Sequence, residues 1–195
     1  MKIISTKFLF IVLFYSIAWS QSEYQILNLP DNLFQLSSNN AMNFGIGTNG
    51  GDGFNGYLDE VALWDIALSR SEVTAIHNSG TALDLRLNSG NYTSSNDLKS
   101  YWKMEDGSGT ILTDVSGYGN DGAIDGASWA QGVMSTSYNN TPKTIEGGEG
   151  GNALSLNGTD NYVSFNQSDN HDFNNNSEAT LSAWVKIDAF DPNDS

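Results

Sequence analysis

Short apolar runs alternate with clusters of glycine, asparagine, serine and aspartate along most of this chain. Short runs bounded by such clusters are typical of β-strands joined by turns, whereas helices need longer periodic segments. The pattern predicts strands at residues 42–47, 56–64, 98–104, 153–156, 162–165 and 179–187. The predicted fold class is therefore all-β, an antiparallel β-sandwich.

One short helix is predicted after residue 69. Ser69 and Glu72 have the spacing of a capping box, in which the serine caps the helix and the glutamate binds back to the serine amide. Val73 and Ile76 follow at helical spacing, and the turn-forming residues 78–80 end the helix. We expect it to pack on a sheet, because short isolated helices are unstable in water.

Residues 1–20 have the pattern of a secretory signal peptide. Lys2 and Lys7 form a positive region, an apolar run follows over residues 8–15, and small residues at 18 and 20 suit cleavage. The apolar run is shorter than the roughly 20 residues that a membrane span needs, although an N-terminal anchor is the alternative. We expect a secreted or cell-surface product that starts near Gln21 and does not insert into the membrane.

Charge and cysteine content exclude several function classes. The chain has 8 basic and 23 acidic residues, and loss of two lysines with the signal segment changes the net charge from −15 to −17. Such a surface repels nucleic acid, so no nucleic-acid partner is expected. The chain contains no cysteine, which excludes thiol catalysis and cysteine-ligated zinc.

Two stretches carry a resemblance to a known family. Residues 54–69 read Phe-Asn-Gly-Tyr-Leu-Asp-Glu-Val-Ala-Leu-Trp-Asp-Ile-Ala-Leu-Ser, and with Asn78-Ser79-Gly80 they resemble the closing segment of LamG-like jelly-roll domains. Residues 98–122, 153–163 and 180–186 resemble the opening strands of the same family, which belongs to the concanavalin A-like lectin/glucanase superfamily. The resemblance implies a jelly-roll sandwich.

The order of these stretches is unusual, because a family ending precedes a family beginning. The simplest division makes residues 21–80 the C-terminal part of one unit, 81–97 a linker, and 98–195 the N-terminal part of the next unit in a tandem array. A circular permutant is the alternative, since sandwich termini often lie close together. The family's central strands are not found after Trp184, which implies a fragment or truncated product and predicts self-association through exposed sheet edges.

The resemblance also implies a calcium site. Asp114 and Asn120 lie on a glycine-rich turn, and in family members a calcium ion can bridge such a loop and the Asp-Glu pair of the closing strand, here Asp59 and Glu60. Calcium takes six to eight oxygen ligands on backbone that can curl around it. The alternative is that these side chains only stabilise turns.

The tryptophans are the candidate sugar-binding residues. Trp129 lies near a turn and is the best placed to stack on a sugar ring. Trp102 and Trp184 lie in apolar strand patterns and are expected in the core.

No catalytic residues are predicted. Laminarinase-type relatives carry Glu-x-Asp-x-x-Glu on one strand, and the run from Asp59 to Asp65 lacks that spacing. The sequence favours a non-catalytic binding or adhesion module for glycans or cell-surface polymers. A structural spacer in a large repetitive extracellular protein is the alternative, and a fragment of a polysaccharide hydrolase ranks third.

Overall fold

The structure is a computed structural model that describes residues 8–16, 35–36, 42–44, 54–77, 82–135, 150–165 and 178–187. These residues form eleven strands, one α-helix and one short 3-10 helix (Ser95–Asp97). The helix α1 spans Arg70–His77. The strands are β1 Phe8–Ser16, β2 Gln35–Leu36, β3 Met42–Phe44, β4 Asn55–Trp64, β5 Leu98–Trp102, β6 Ile111–Leu112, β7 Gly122–Asp125, β8 Ser128–Ser135, β9 Gly150–Asn157, β10 Tyr162–Phe165 and β11 Glu178–Ile187.

The strands pair in two antiparallel sheets. Sheet A has the order β1-β11-β4-β9-β8, with β5 also paired to β4, and sheet B has the order β2-β3-β10-β7-β6. Strand β4 is central, because β11 lies along one of its edges while β9 and β5 share the other. The all-β fold class predicted from the sequence is therefore confirmed.

Apolar side chains from both sheets meet in a main core. Sheet A contributes residues of β4, β5, β9 and β11, and sheet B contributes residues of β6, β7 and β10. The alternation of a β-strand places every second side chain on this face. Buried members of the main core are Phe54, Leu58, Val61, Leu63, Trp102, Met104, Leu112, Ile124, Leu154, Leu156, Val163, Phe165, Ala183 and Val185.

A second cluster, here called the outer core, forms where α1 and residues 82–98 pack on β4 and β5. Its buried members are Ala62, Trp64, Leu68, Ile76, Leu85, Tyr92, Leu98 and Tyr101. The Tyr92 hydroxyl donates to the Leu85 carbonyl at 2.8 Å and accepts from Trp64 Nε1 at 3.0 Å. The polar composition of residues 81–97 predicts a linker, yet Leu85 and Tyr92 anchor this segment in the core.

The strand and helix predictions agree with the structure in most places. All six predicted strands are present, and α1 follows Ser69 as the capping box predicts. Strands β2, β6, β7 and β8 are not among the predicted strands. Strands β2, β6 and β7 have two to four residues, which give too little alternation to recognise, and the eight residues of β8 contain a glycine and do not alternate regularly. Strand β1 lies within the predicted signal segment, whose apolar residues also favour extended structure.

The ending-like and beginning-like stretches share one sheet. Strand β4 belongs to the first stretch and lies between β11 and β9, which belong to the second. A permuted sandwich predicts this arrangement. The division into tandem units stays a prediction.

Some predicted features lie outside the described residues, namely the cleavage site at residues 18–20, residues 45–47 of the first predicted strand and the helix stop at 78–80. Within the part of the chain that the structure describes, no helix has the length and apolar character needed to span a membrane.

Candidate functional site

The loop between β6 and β7 is organised by the carboxylate of Asp114. Its Oδ1 accepts from the backbone amides of Tyr101 and Ser116, both at 2.9 Å. Its Oδ2 accepts from the Ser116 hydroxyl at 2.8 Å and the Asn120 amide at 2.9 Å. Four donors therefore surround this carboxylate and fix the loop on β5.

Asn120 completes the same arrangement. Its side-chain amide donates to the Lys99 carbonyl at 3.0 Å and to the Ser100 hydroxyl at 2.9 Å. Its backbone carbonyl accepts from Trp102 Nε1 at 2.9 Å. These contacts are of the turn-stabilising kind that the sequence left as the alternative to calcium.

Asp59 and Glu60 lie at a β-bulge in β4. Between the pairs Ser182↔Ala62 and Trp184↔Asp59, β4 has one more residue than β11. Glu60 adopts a left-handed φ of 51°, which is unusual for a residue other than glycine. The bulge interrupts strand alternation at these two acidic residues, and both are buried.

Glu60 is held in an unusual environment. It is 5% exposed, its Oε2 binds the Tyr101 hydroxyl, and its Oε1 has no hydrogen-bond partner among the described residues. Burial raises the pKa of Glu60 from 4.5 to about 7, although the Tyr101 hydrogen bond and the charge of Lys103 oppose that rise. Charged carboxylates are costly to bury without compensating donors.

Counting protons supports a neutral Glu60. The Tyr101 hydroxyl has one proton but lies against two acceptors, Glu60 Oε2 and the Leu83 carbonyl at 3.1 Å. If Glu60 is protonated, it donates to the Tyr101 oxygen, and Tyr101 donates to Leu83. Every polar contact at this hydroxyl is then satisfied. The same surroundings raise the pKa of Tyr101 well above its usual value, first through burial and then through the charge of Glu60.

The four predicted calcium ligands fall into two groups. Asp114 and Asn120 come together at the backbone of Tyr101. Asp59 and Glu60 lie at the bulge of β4, where Glu60 contacts the hydroxyl at the far end of the Tyr101 side chain. Among the described residues, no group of three or more acidic or histidine side chains is arranged to hold a metal ion. Calcium binding stays a prediction, and the described geometry does not unite these four residues around one ion.

The predicted sugar-binding tryptophan is partly buried. Trp129 packs against the main core, and its Nε1 donates to the Gly109 carbonyl at 2.9 Å. Trp102 and Trp184 are buried, as their strand patterns predict. Trp184 also stacks on His77, with ring centroids 5.3 Å apart.

An exposed aromatic residue lies instead on the Asp114 loop. Tyr118 is 45% exposed, between Gly117 and Gly119, which both adopt left-handed φ values. Apart from the adjoining residues of the chain, no heavy atom lies within 4 Å of the position that a Cβ would take at either glycine. Lys99 Nζ lies 5.4 Å from the Tyr118 ring centroid. The glycines at positions 117 and 119 mark a turn in the sequence, and turns usually lie on the surface.

Comparisons with known proteins give no relatives. No protein-family model matches the chain, and no curated protein or solved structure shows significant similarity to it.

Proposed function

We propose that this chain is an exported, non-catalytic binding or adhesion module of the LamG-like jelly-roll type, whose ligand is a glycan of an extracellular or cell-surface polymer. The signal-like residues 1–20 and the family-like motifs support this proposal, as does the antiparallel two-sheet fold. Fold alone does not select a ligand, so the argument depends on the loop surface.

The observation that carries the proposal is the presentation of Tyr118. Its ring is exposed on a loop that the Asp114 carboxylate holds through Ser116 and Asn120. The space beside both flanking glycines is open. An aromatic ring on a fixed loop can stack on the apolar face of a sugar without ordering the loop on binding.

Most described acidic side chains near this loop have structural roles. Asp114 accepts four hydrogen bonds, and Asp106 binds the amide and hydroxyl of Thr113 at 3.1 and 2.6 Å. The raised pKa of Glu60 would suit a general acid, but its carboxyl lies buried beside Tyr101 rather than on an open surface. A polysaccharide chain needs an accessible acid, so we favour binding over hydrolysis.

A glycan array tests this proposal, with the purified exported chain screened in the presence and absence of calcium. We expect Tyr118→Ala to weaken binding to any retained polysaccharide about tenfold, while Tyr118→Phe retains it. Ile111→Ala is the matched control, because Ile111 is exposed and apolar but offers no ring. Failure to bind any polysaccharide would contradict the proposal, as would sugar release that Glu60→Gln abolishes.

A further inference from the structure

One long edge of sheet A is occupied by the segment that the sequence marks for removal. Strand β1 pairs with β11 over nine residue pairs, from Phe8↔Lys186 to Ser16↔Glu178. Cleavage near Gln21 would remove all of β1. The amides and carbonyls on that edge of β11 would then need new partners. This step depends on the export put forward under the proposed function.

The exposed edge would have little protection against pairing with another strand. Edge strands that avoid association carry charges or proline along their length. In β11 the charged residues stand near the ends, at Glu178 and Lys186, and residues 179–185 contain neither charge nor proline. Alternate residues of that stretch, including Ala183 and Val185, face the main core.

The sequence of β11 is complementary to itself in one antiparallel register. A pair of β11 strands centred on Ser182 places Leu181 of one copy opposite Ala183 of the other, so core-facing residues stay on the core face. The same register places Glu178 opposite Lys186 at both ends. Opposite charges in directly facing positions stabilise a strand pair.

Ser182 gives an independent reason for this register. When a strand covers this edge, as β1 does with Val12 opposite Ser182, the serine is 2% exposed and its hydroxyl has no hydrogen-bond partner among the described residues. A buried hydroxyl without a partner is unfavourable. At the centre of the two-fold pair, the Ser182 hydroxyls of two copies face each other and can form a hydrogen bond.

We propose that the processed chain associates with a second copy of itself through the β11 edge, in an antiparallel strand pair centred on Ser182. Sheet A then continues across the two-fold axis into the second copy. The signal segment covers this edge in the precursor, and its removal makes the edge available.

The first test uses the protein exported from a secreting host. Intact mass shows whether residues 1–20 have been removed, and light scattering after size exclusion gives the oligomeric state at roughly 0.15 M salt, where the Debye length is about 8 Å. We expect a processed dimer. A processed monomer would overturn the inference, and so would a product that retains residues 1–20, because β1 would then fill the edge.

A single introduced cysteine tests the register. The natural chain has no cysteine, so Ser182→Cys carries the only thiol. Facing residues of an antiparallel pair have Cα atoms about 4.5–5.5 Å apart, which allows a disulfide. We expect mild oxidation to cross-link Ser182→Cys into covalent dimers. Lys186→Cys is the control, because its two thiols would lie about 27 Å apart in this register. Equal cross-linking of both variants would overturn the register.

A charge exchange tests the same register without cysteine chemistry. Glu178→Lys places lysines opposite one another at both ends of the pair, and we expect the dimer to weaken about tenfold. Adding Lys186→Glu restores opposite charges, so the double variant should recover the dimer. A double variant weaker than Glu178→Lys would contradict the inference. Glycan binding is measured on the same samples, so a dimer that binds no glycan contradicts only the proposed function, and a glycan-binding monomer only this inference.

Discussion

Two buried glutamates border the outer core, and their surroundings differ in the supply of hydrogen-bond donors. Glu72 accepts five hydrogen bonds, from the amides and hydroxyls of Ser69 and Thr93 and from the Ser94 hydroxyl at 2.5 Å. Glu60 has one hydrogen-bond partner among the described residues, the Tyr101 hydroxyl. Both side chains are less than a tenth exposed. Glu60 lies deep in the protein, whereas Glu72 lies close to its edge, so depth of burial and hydrogen-bond donors both distinguish the two sites.

The difference sets the charge of each group at neutral pH. Burial alone would raise the pKa of Glu72, but hydrogen bonds from Ser94, Ser69 and Thr93 lower it to about 2. Burial of Glu60 is not balanced in this way, and its pKa rises to about 7. At neutral pH the same residue type is therefore fully ionised at the Glu72 site and protonated in about half of the molecules at the Glu60 site.

The largest expected effect is the loss of the Glu72 carboxylate. Glu72→Ala leaves five donors without their acceptor, and we expect it to lower the free energy of unfolding at pH 7 by about 4 kcal/mol. Urea denaturation measures this. Thr74→Ala is the control, because Thr74 is exposed on the same helix. An effect as small as that of the control would mean that these hydrogen bonds contribute little.

Glu60→Gln should act in the opposite direction. A folded-state pKa of about 7 against 4.5 means that wild-type stability falls between pH 4.5 and pH 7, since only the unfolded state loses its proton there. Across this pH range the free energy of unfolding of the wild type falls by about 3 kcal/mol. We expect the variant to match the wild type at pH 4 and to be more stable by about that amount at pH 8, as measured by urea denaturation. Equal stability of the variant and the wild type at pH 8 would argue against a raised pKa of Glu60.

Glu72 gives the complementary pH dependence. Because the pKa of Glu72 in the folded state is about 2, the ionised carboxylate contributes fully to the free energy of unfolding above pH 4.5. This contribution disappears as the pH falls towards 2. The Glu72→Ala variant should therefore approach the wild type in stability at acid pH, whereas Glu60→Gln should differ from the wild type on the alkaline side.

Tyr101→Phe should lower the free energy of unfolding at pH 7 by about 2 kcal/mol, because Glu60 and the Leu83 carbonyl both lose their hydrogen-bond partner. It should also move the fall in stability to higher pH, since the Tyr101 hydrogen bond lowers the pKa of Glu60. Tyr92→Phe is the matched control. Tyr92 is equally buried and donates to a carbonyl, but it does not bind Glu60. If the fall in stability moved to higher pH in both variants, the result would contradict the claim that Tyr101 specifically lowers the pKa of Glu60.

The smallest effect is expected from Ser94→Ala. This change removes one of the five donors to Glu72, so we expect a loss of about 1 kcal/mol at pH 7 and a higher pKa for Glu72. Acid titration of unfolding measures both. Thr74→Ala, at an exposed position of α1 whose hydroxyl binds the Arg70 carbonyl, should leave the acid transition unchanged.

The sequence was most informative where partners lie close along the chain. The Ser69–Glu72 capping box is a local pattern, and the structure contains its reciprocal hydrogen bonds. The turn contacts of Asp114 and Asn120 are similarly local. A spacing of three to six residues fixes such geometry without knowledge of the fold.

Long-range partners could not be read from the sequence. Thr93 and Ser94 reach Glu72 from a segment whose composition is that of a linker. Glu60 meets Tyr101 only because a bulge in β4 and the pairing of β4 with β5 bring them together. One residue of register shift reverses which face a side chain occupies, so neither contact follows from strand patterns alone.

The most direct test of these two charge states is a carboxyl-carbon NMR titration of Glu60 and Glu72 in the folded protein. We predict a midpoint of about 7 for Glu60 and of about 2 for Glu72. Midpoints near 4.5 for both groups would contradict the claim that depth of burial and the supply of donors together determine whether each glutamate is charged.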